Sequence, residues 1–237
     1  MESYIEFLKR INSFEKKDVS FGDTYFVGNP SIAQKVDANN AFRKFYGDTI
    51  VFDLDNATKE KLAKYVEKIY ESAPECFCEK LISNTFHMTL HDLSNAPMLE
   101  AVAVEIFDNE LKVLELKKNV DVAKIKMKSR CIFNMVNTSL VLGLYPVDEE
   151  EYEKLMKLYF LFDEVKELGY PFTPHITLAY YNVNGFSVES ARKLEKVVAD
   201  LNECELEVEL DVKELYYQKF RSMNDYINIF LMSDRRE

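Results

Sequence analysis

The sequence has no tryptophan and only 6 glycines, 6 prolines and 3 histidines among its 237 residues. So little glycine and proline argues against a collagen-like or low-complexity protein, and no glycine-rich phosphate loop is present. No apolar run approaches the roughly 18 residues of a membrane span. The first residues, Met1 to Glu6, lack the basic and apolar parts of a signal peptide. We therefore expect a cytoplasmic protein that contacts no membrane.

Cysteine is also scarce. Cys76 and Cys78 are the one close pair, and Cys131 and Cys204 stand alone. A disulfide framework or a zinc site requires more cysteine or histidine ligands at regular spacing than this pattern provides. We expect reduced thiols in or near the core, and no metal or other cofactor.

Basic residues are outnumbered by acidic ones, 30 to 41, so the formal net charge is −11. A protein that binds many phosphates of a long nucleic acid normally has the opposite balance. The charge therefore favours a small nucleotide or a short oligonucleotide as partner. Lys124, Lys126 and Lys128 alternate along one predicted strand. Their face is the best candidate for local basic potential, although we interpret it as a solvated surface.

The hydrophobic pattern predicts an α+β protein. Stripes such as Leu62, Val66 and Ile69 predict helices, and they alternate with short strand-like runs. This order recurs twice without a linker rich in glycine, serine or proline. We predict an N-terminal extension, 1–46, packed on a single bilobal domain, 47–237. Lobe one would cover about 47–145 and lobe two about 146–237.

Two hexapeptides in this pattern are almost alike, TFHMTL at 85–90 and TPHITL at 173–178. Each contains His-x-Thr-Leu, and two of the three histidines occupy its first position. In a strand, residues two positions apart point to the same face, while the residue between them points to the other. His87 and Thr89, like His175 and Thr177, should therefore share a face, with both side chains able to bind one phosphate.

Paired histidines suit acid–base chemistry at a phosphodiester. The ordinary histidine pKa of about 6.5 lets one imidazole act as a base while another, protonated, acts as an acid. A phosphodiester requires both, because the attacking oxygen loses a proton and the leaving oxygen gains one. This scheme needs no metal.

The paired motifs resemble those of the 2H phosphoesterase superfamily, which includes LigT-like RNA 2′,3′-cyclic phosphodiesterases. The resemblance covers roughly 48–230. It implies duplicated βαββ-type units whose antiparallel sheets form a central groove. It also implies that His87 and His175 are the catalytic acid and base, and that Thr89 and Thr177 bind phosphate. One departure is Tyr180, since many bacterial LigT-like members have a basic residue at that position.

The leading hypothesis is a metal-independent phosphodiesterase acting on a small nucleotide or RNA end, with a 2′,3′-cyclic phosphate as first candidate. Two alternatives remain open. The same residues could cleave cyclic oligonucleotide or 2′-5′-linked signals, or the protein could bind nucleotides without catalysis.

Two further residues lie beside the motifs. His91 follows His87 by four positions, which in a strand is about 13 Å and too far for one metal ion. We interpret His91 as structural or as a peripheral substrate contact. Tyr181 is a candidate for stacking a base, a contact worth about 1–3 kcal/mol.

Overall fold

The computed structural model describes residues 2–15, 20–121 and 124–233. The described residues form six α-helices: α1 (Tyr4–Glu15), α2 (Ile32–Lys35), α3 (Asn56–Ser72), α4 (Ala103–Leu116), α5 (Glu149–Asp163) and α6 (Val188–Leu201). They also form one sheet of eight β-strands: β1 (Tyr46–Asp53), β2 (His87–Ala96), β3 (Lys124–Met135), β4 (Ser139–Pro146), β5 (His175–Tyr180), β6 (Glu207–Asp211), β7 (Leu215–Ser222) and β8 (Asp225–Leu231). Neighbouring strands are antiparallel throughout. The predicted α+β class with antiparallel strands is confirmed.

The strand order, β6-β3-β4-β5-β2-β1-β7-β8, divides the sheet into two halves. One half contains β1, β2, β7 and β8, and the other contains β3 to β6. The halves meet where β2 pairs with β5 through Met88 and Ile176. The two strands that carry the repeated motifs are therefore neighbours at the centre of one continuous sheet.

This division differs from the predicted lobes. The sequence order placed β3 and β4 in lobe one and β7 and β8 in lobe two, whereas each pair lies in the opposite half. Charged side chains pair between β3 and β6. Lys124 donates to Glu209 at 2.5 Å, and Lys128 lies 2.8 Å from Glu205. The lysine face of β3 therefore meets acidic side chains at the edge of the sheet and does not line the central groove.

Helix α3 illustrates how local sequence signals place an element. Asp55 caps its first turn by accepting a hydrogen bond from the Thr58 backbone N–H at 2.9 Å. The predicted stripe of Leu62, Val66 and Ile69 is buried. The helix is thus held by its cap and by an apolar stripe packed in the core.

The N-terminal segment packs into the main core. Phe7, Phe26 and Ile32 are buried there, and the Tyr4 hydroxyl donates to the Pro146 carbonyl at 2.9 Å. Residues 1 and 16–19 of this predicted extension, and 122–123 and 234–237 of the predicted domain, lie outside the described residues. The segment also carries Lys35 to the central groove.

A buried carboxylate links β1 to its surroundings. Asp48 accepts from the Ser94 backbone N–H at 2.8 Å, from Asn109 Nδ2 at 3.1 Å and from the Tyr217 hydroxyl at 2.9 Å. We call these four residues the Asp48 network. Burial raises the pKa of Asp48 although the hydrogen bonds act in the opposite direction.

The structure also bears on the expected burial of the cysteines and on the search for a membrane-spanning helix. Cys76 and Cys78 are buried as expected, whereas Cys204 is exposed. Within the described residues, no helix combines the length and the apolar character that crossing a bilayer requires.

Candidate active site

The two repeated motifs face a common groove. His87 and Thr89 on β2, and His175 and Thr177 on β5, line one cavity of about 620 Å³. The residues between them alternate into the core, where Met88 and Ile176 are fully buried. This is the alternation expected of strands. The volume is in the range of small-ligand sites.

The register of β2 and β5 arranges the four polar side chains as a quadrilateral. Because Met88 lies opposite Ile176, His87 is level with Thr177 and Thr89 is level with His175. The two histidines are therefore diagonal neighbours, about 7–8 Å apart at the backbone. Each threonine stands beside the histidine of the other motif. A tetrahedral phosphate fits between two imidazoles and two hydroxyls in this arrangement.

Both imidazoles have the same orienting hydrogen bond. His87 Nδ1 lies 2.7 Å from the Thr85 carbonyl oxygen, and His175 Nδ1 lies 2.7 Å from the Thr173 carbonyl oxygen. A carbonyl accepts and never donates, so Nδ1 must carry the proton in both rings. In a neutral ring, Nε2 is then the basic nitrogen.

Burial in the groove lowers the pKa of both His87 and His175, because it penalises the charged imidazolium. The hydrogen bonds to the carbonyls and the negative charge of Asp92 act in the opposite direction and offset part of this effect. The lowered pKa favours the neutral form of each ring. A bound phosphate anion would favour protonation of one of them.

A β-bulge follows each motif. Leu90 is the extra residue of β2 where it pairs with β1, and Leu178 is the extra residue of β5 where it pairs with β4. A bulge adds one residue to one strand and so reverses the alternation of faces beyond it. The motifs are thus duplicated in their irregular backbone as well as in their side chains.

The bulge in β2 decides the position of His91. The residue is 1% exposed, with Nδ1 at 2.7 Å from the Asp92 carbonyl and Nε2 at 2.9 Å from the Asp163 carboxylate. His91 is therefore structural, which excludes the alternative of a substrate contact. The next residue, Asp92, faces the groove instead and accepts from the Tyr170 hydroxyl at 3.0 Å.

The bulge in β5 has the same effect on the two tyrosines. Tyr181 is fully buried among aromatic rings that include Phe26, Phe77 and Phe186. It does not line the groove, so the prediction that it stacks a base is wrong. Tyr180 lines the groove in its place. Simple alternation from His175 predicts that Tyr181 faces the groove. Because Leu178 is an extra residue, the position that faces the groove is Tyr180 instead.

Two groove residues come from distant parts of the chain. The Lys35 ammonium lies 5.3 Å from the ring centre of Phe45 and 5.2 Å from that of Tyr180. The ring of Tyr226, on β8, packs edge-to-face on His87 at 5.0 Å between ring centres. Sequence reasoning missed both, and neither carries a local signal. Among the described residues, no group of three or more His, Cys, Asp or Glu side chains is placed to hold a metal ion.

Comparisons with known proteins locate the fold. No protein-family model matches the chain, and no curated protein does. Among solved structures, E. coli LigT in complex with 3′-AMP matches at a TM-score of 0.50 and 14% identity, covering 79% of this chain and 97% of LigT. The chain has the LigT-like fold. A conserved protein of unknown function from Agrobacterium tumefaciens, ATU0111, matches with a TM-score of 0.66 and 12% identity, and the match covers 87% of this chain and 94% of the ATU0111 chain. The LigT-like architecture predicted from the paired motifs is thus confirmed.

Proposed function

We propose that this LigT-like protein is a metal-independent phosphodiesterase of the 2H type that hydrolyses a small nucleotide substrate, with a 2′,3′-cyclic phosphate as the first candidate. The observation that carries the proposal is the quadrilateral of His87, Thr89, His175 and Thr177 on adjacent strands. Both imidazoles hold the same tautomer, so each has a basic Nε2 for proton transfer.

The reaction requires one neutral and one protonated imidazole. Nε2 of the neutral ring takes a proton from water as its oxygen attacks phosphorus. Nε2–H of the protonated ring gives its proton to the ribose oxygen as the phosphorus–oxygen bond breaks. The product is a phosphomonoester, and proton exchange with solvent restores the two rings. The hydroxyls of Thr89 and Thr177 donate to the non-bridging oxygens as charge develops on them.

Three observations support a nucleotide of modest size. The groove volume of about 620 Å³ suits a small ligand. The net charge of −11 opposes a long polyanion. LigT, which shares the fold, was crystallised with 3′-AMP, a phosphomonoester of the kind that opening a 2′,3′-cyclic phosphate produces.

An activity panel in buffer with excess chelator tests the proposal. The substrates are 2′,3′-cyclic mononucleotides, 2′-5′ and 3′-5′ dinucleotides, and cyclic dinucleotides, and the blank is the double variant His87→Asn/His175→Asn. We expect chelator-insensitive product from wild type and at least about 100-fold slower product formation from the blank. If calorimetry detects binding of a nucleotide but no substrate yields product, the proposed enzymatic activity is refuted and a non-catalytic nucleotide-binding protein is favoured.

A further inference from the structure

The two motif strands, β2 and β5, match in sequence pattern and backbone as far as the bulge. The first groove-facing residue after the bulge is an acid in β2 and a tyrosine in β5. Asp92 and Tyr180 each stand three positions after the motif threonine, and both return to the groove after the bulge. Because β2 and β5 are antiparallel, these equivalent positions lie at opposite ends of the quadrilateral. A strand rises about 3.3 Å per residue, so each lies about 10 Å along its strand from the threonine of its own motif.

The Tyr180 end of the groove is cationic. Lys35 lies between the rings of Phe45 and Tyr180, and both ring faces attract its ammonium group. The side chain is half-buried. Among the described residues, no carboxylate lies within ion-pair distance of its Nζ, and it is the one lysine or arginine among those that line the groove. The rings therefore hold a positive charge that no described acid neutralises.

The opposite end is acidic. Asp92 is exposed to the groove and is the one acidic side chain among its described lining residues. The Tyr170 hydroxyl donates to one of its oxygens at 3.0 Å. A carboxylate has about four acceptor positions, so most remain available to a ligand. Neutral N–H and O–H donors are favoured here, and a second phosphate is repelled.

We propose that these two ends orient the substrate in one direction. Lys35 binds a second phosphate of the nucleotide, and Asp92 accepts hydrogen bonds from neutral donors such as nucleobase amino groups. This inference rests on the proposed function, since it takes the phosphate to be cleaved as lying between the histidines. The second phosphate is either the 5′-phosphate of the same nucleotide or the internucleotide phosphate of a short chain. Both present the same anion to Lys35.

Substrate pairs that differ in one phosphate test this orientation. The measured quantity is kcat/KM for adenosine 2′,3′-cyclic phosphate, for its 5′-phosphorylated form, and for a diadenosine chain with the same cyclic end and no 5′-phosphate. A charged hydrogen bond is worth about 1.5–3 kcal/mol, so wild type should prefer a substrate with the second phosphate about tenfold or more. Preference for the 5′-phosphate or for the internucleotide phosphate identifies the source of the anion.

The variants separate this binding role from a general effect of charge. Lys35→Met keeps the aliphatic stem and should bring the preference close to one, while Lys35→Arg should retain it. Lys44→Met, an exposed lysine of the same segment that does not line the groove, is the matched control and should behave as wild type. Asp92→Asn should leave the preference in place, because Asp92 lies at the end of the groove opposite Lys35. An unchanged preference in Lys35→Met, with a wild-type melting curve, would overturn the inference.

Binding measurements keep the two proposals distinct. If wild type cleaves none of these compounds, the proposed function fails, and calorimetry with the same ligands still tests Lys35. Tighter binding of the doubly phosphorylated ligand by wild type than by Lys35→Met supports the cationic end. Equal dissociation constants in the two proteins refute it.

Discussion

Replacing His175 by asparagine removes the nitrogen that would exchange the proton and preserves most of the surrounding structure. The asparagine amide can occupy the place of Nδ1 and donate to the Thr173 carbonyl, which accepts from His175 at 2.7 Å. Nothing in asparagine replaces Nε2. The substitution therefore tests proton transfer with little change to the hydrogen bonds of the strand, and His87→Asn does the same beside Thr85.

The expected loss follows from the role of one acid or base. Such a group contributes about 10²–10⁴ in rate, which corresponds to about 2.7–5.4 kcal/mol of activation free energy. Either single variant should lower kcat by this factor while KM changes little. The double variant should lose much less than the product of the two single losses, because the two imidazoles act as a unit.

The assay is the release of nucleoside monophosphate from a 2′,3′-cyclic nucleotide, followed by chromatography in chelated buffer. His91→Gln is the matched control, because His91 lies outside the groove and glutamine can still donate to Asp163. Its kcat should equal that of wild type. A single His87 or His175 variant that keeps kcat within threefold of wild type would refute the role given to that residue.

Three further outcomes are expected. Burial lowers the pKa of His87 and His175, so the active form, in which one of the two imidazoles is protonated, is most abundant below pH 6.5. The pH–rate profile of kcat/KM should therefore peak at mildly acidic pH, and a maximum above pH 7.5 would contradict this. Thr177→Val keeps the branched shape but removes the hydroxyl and should lower kcat about 10²-fold; stopped assays giving wild-type kcat would exclude phosphate binding by this hydroxyl. Asp48→Ala removes the acceptor of the Ser94 backbone N–H, whereas Asn109 and Tyr217 keep acceptors in Ser94 Oγ at 2.9 Å and the Ile106 carbonyl at 3.2 Å, so urea unfolding should show a loss of about 1–3 kcal/mol; no measurable loss would show that water replaces the carboxylate.

The centre of the candidate site could be predicted because it depends on local geometry. Alternation along a strand places His87 and Thr89 on one face whatever surrounds the strand, and the same holds for His175 and Thr177. The hexapeptides also repeat a threonine two positions before each histidine, at Thr85 and Thr173. The imidazoles bond to the backbone carbonyls of these two residues, and because every residue has such a carbonyl, only the structure showed the contact.

The residues beyond the motifs could not be predicted in the same way. A bulge forms where one strand has an extra residue relative to the strand it pairs with. The bulge at Leu90 therefore depends on the pairing of β2 with β1, and the bulge at Leu178 depends on the pairing of β5 with β4. Each bulge reversed the faces that followed, which placed Asp92 and Tyr180 in the groove and buried His91 and Tyr181.

The sequence by itself determined the α+β class, the helices with clear apolar stripes and the four side chains at the centre of the groove, because these depend on periodicity along a few residues. Only the tertiary structure decided which half each strand joins and which residues stand at the two ends of the groove. Lys35 reaches Tyr180 across 145 positions of the chain. Such contacts follow from long-range packing and strand pairing, which no local pattern encodes.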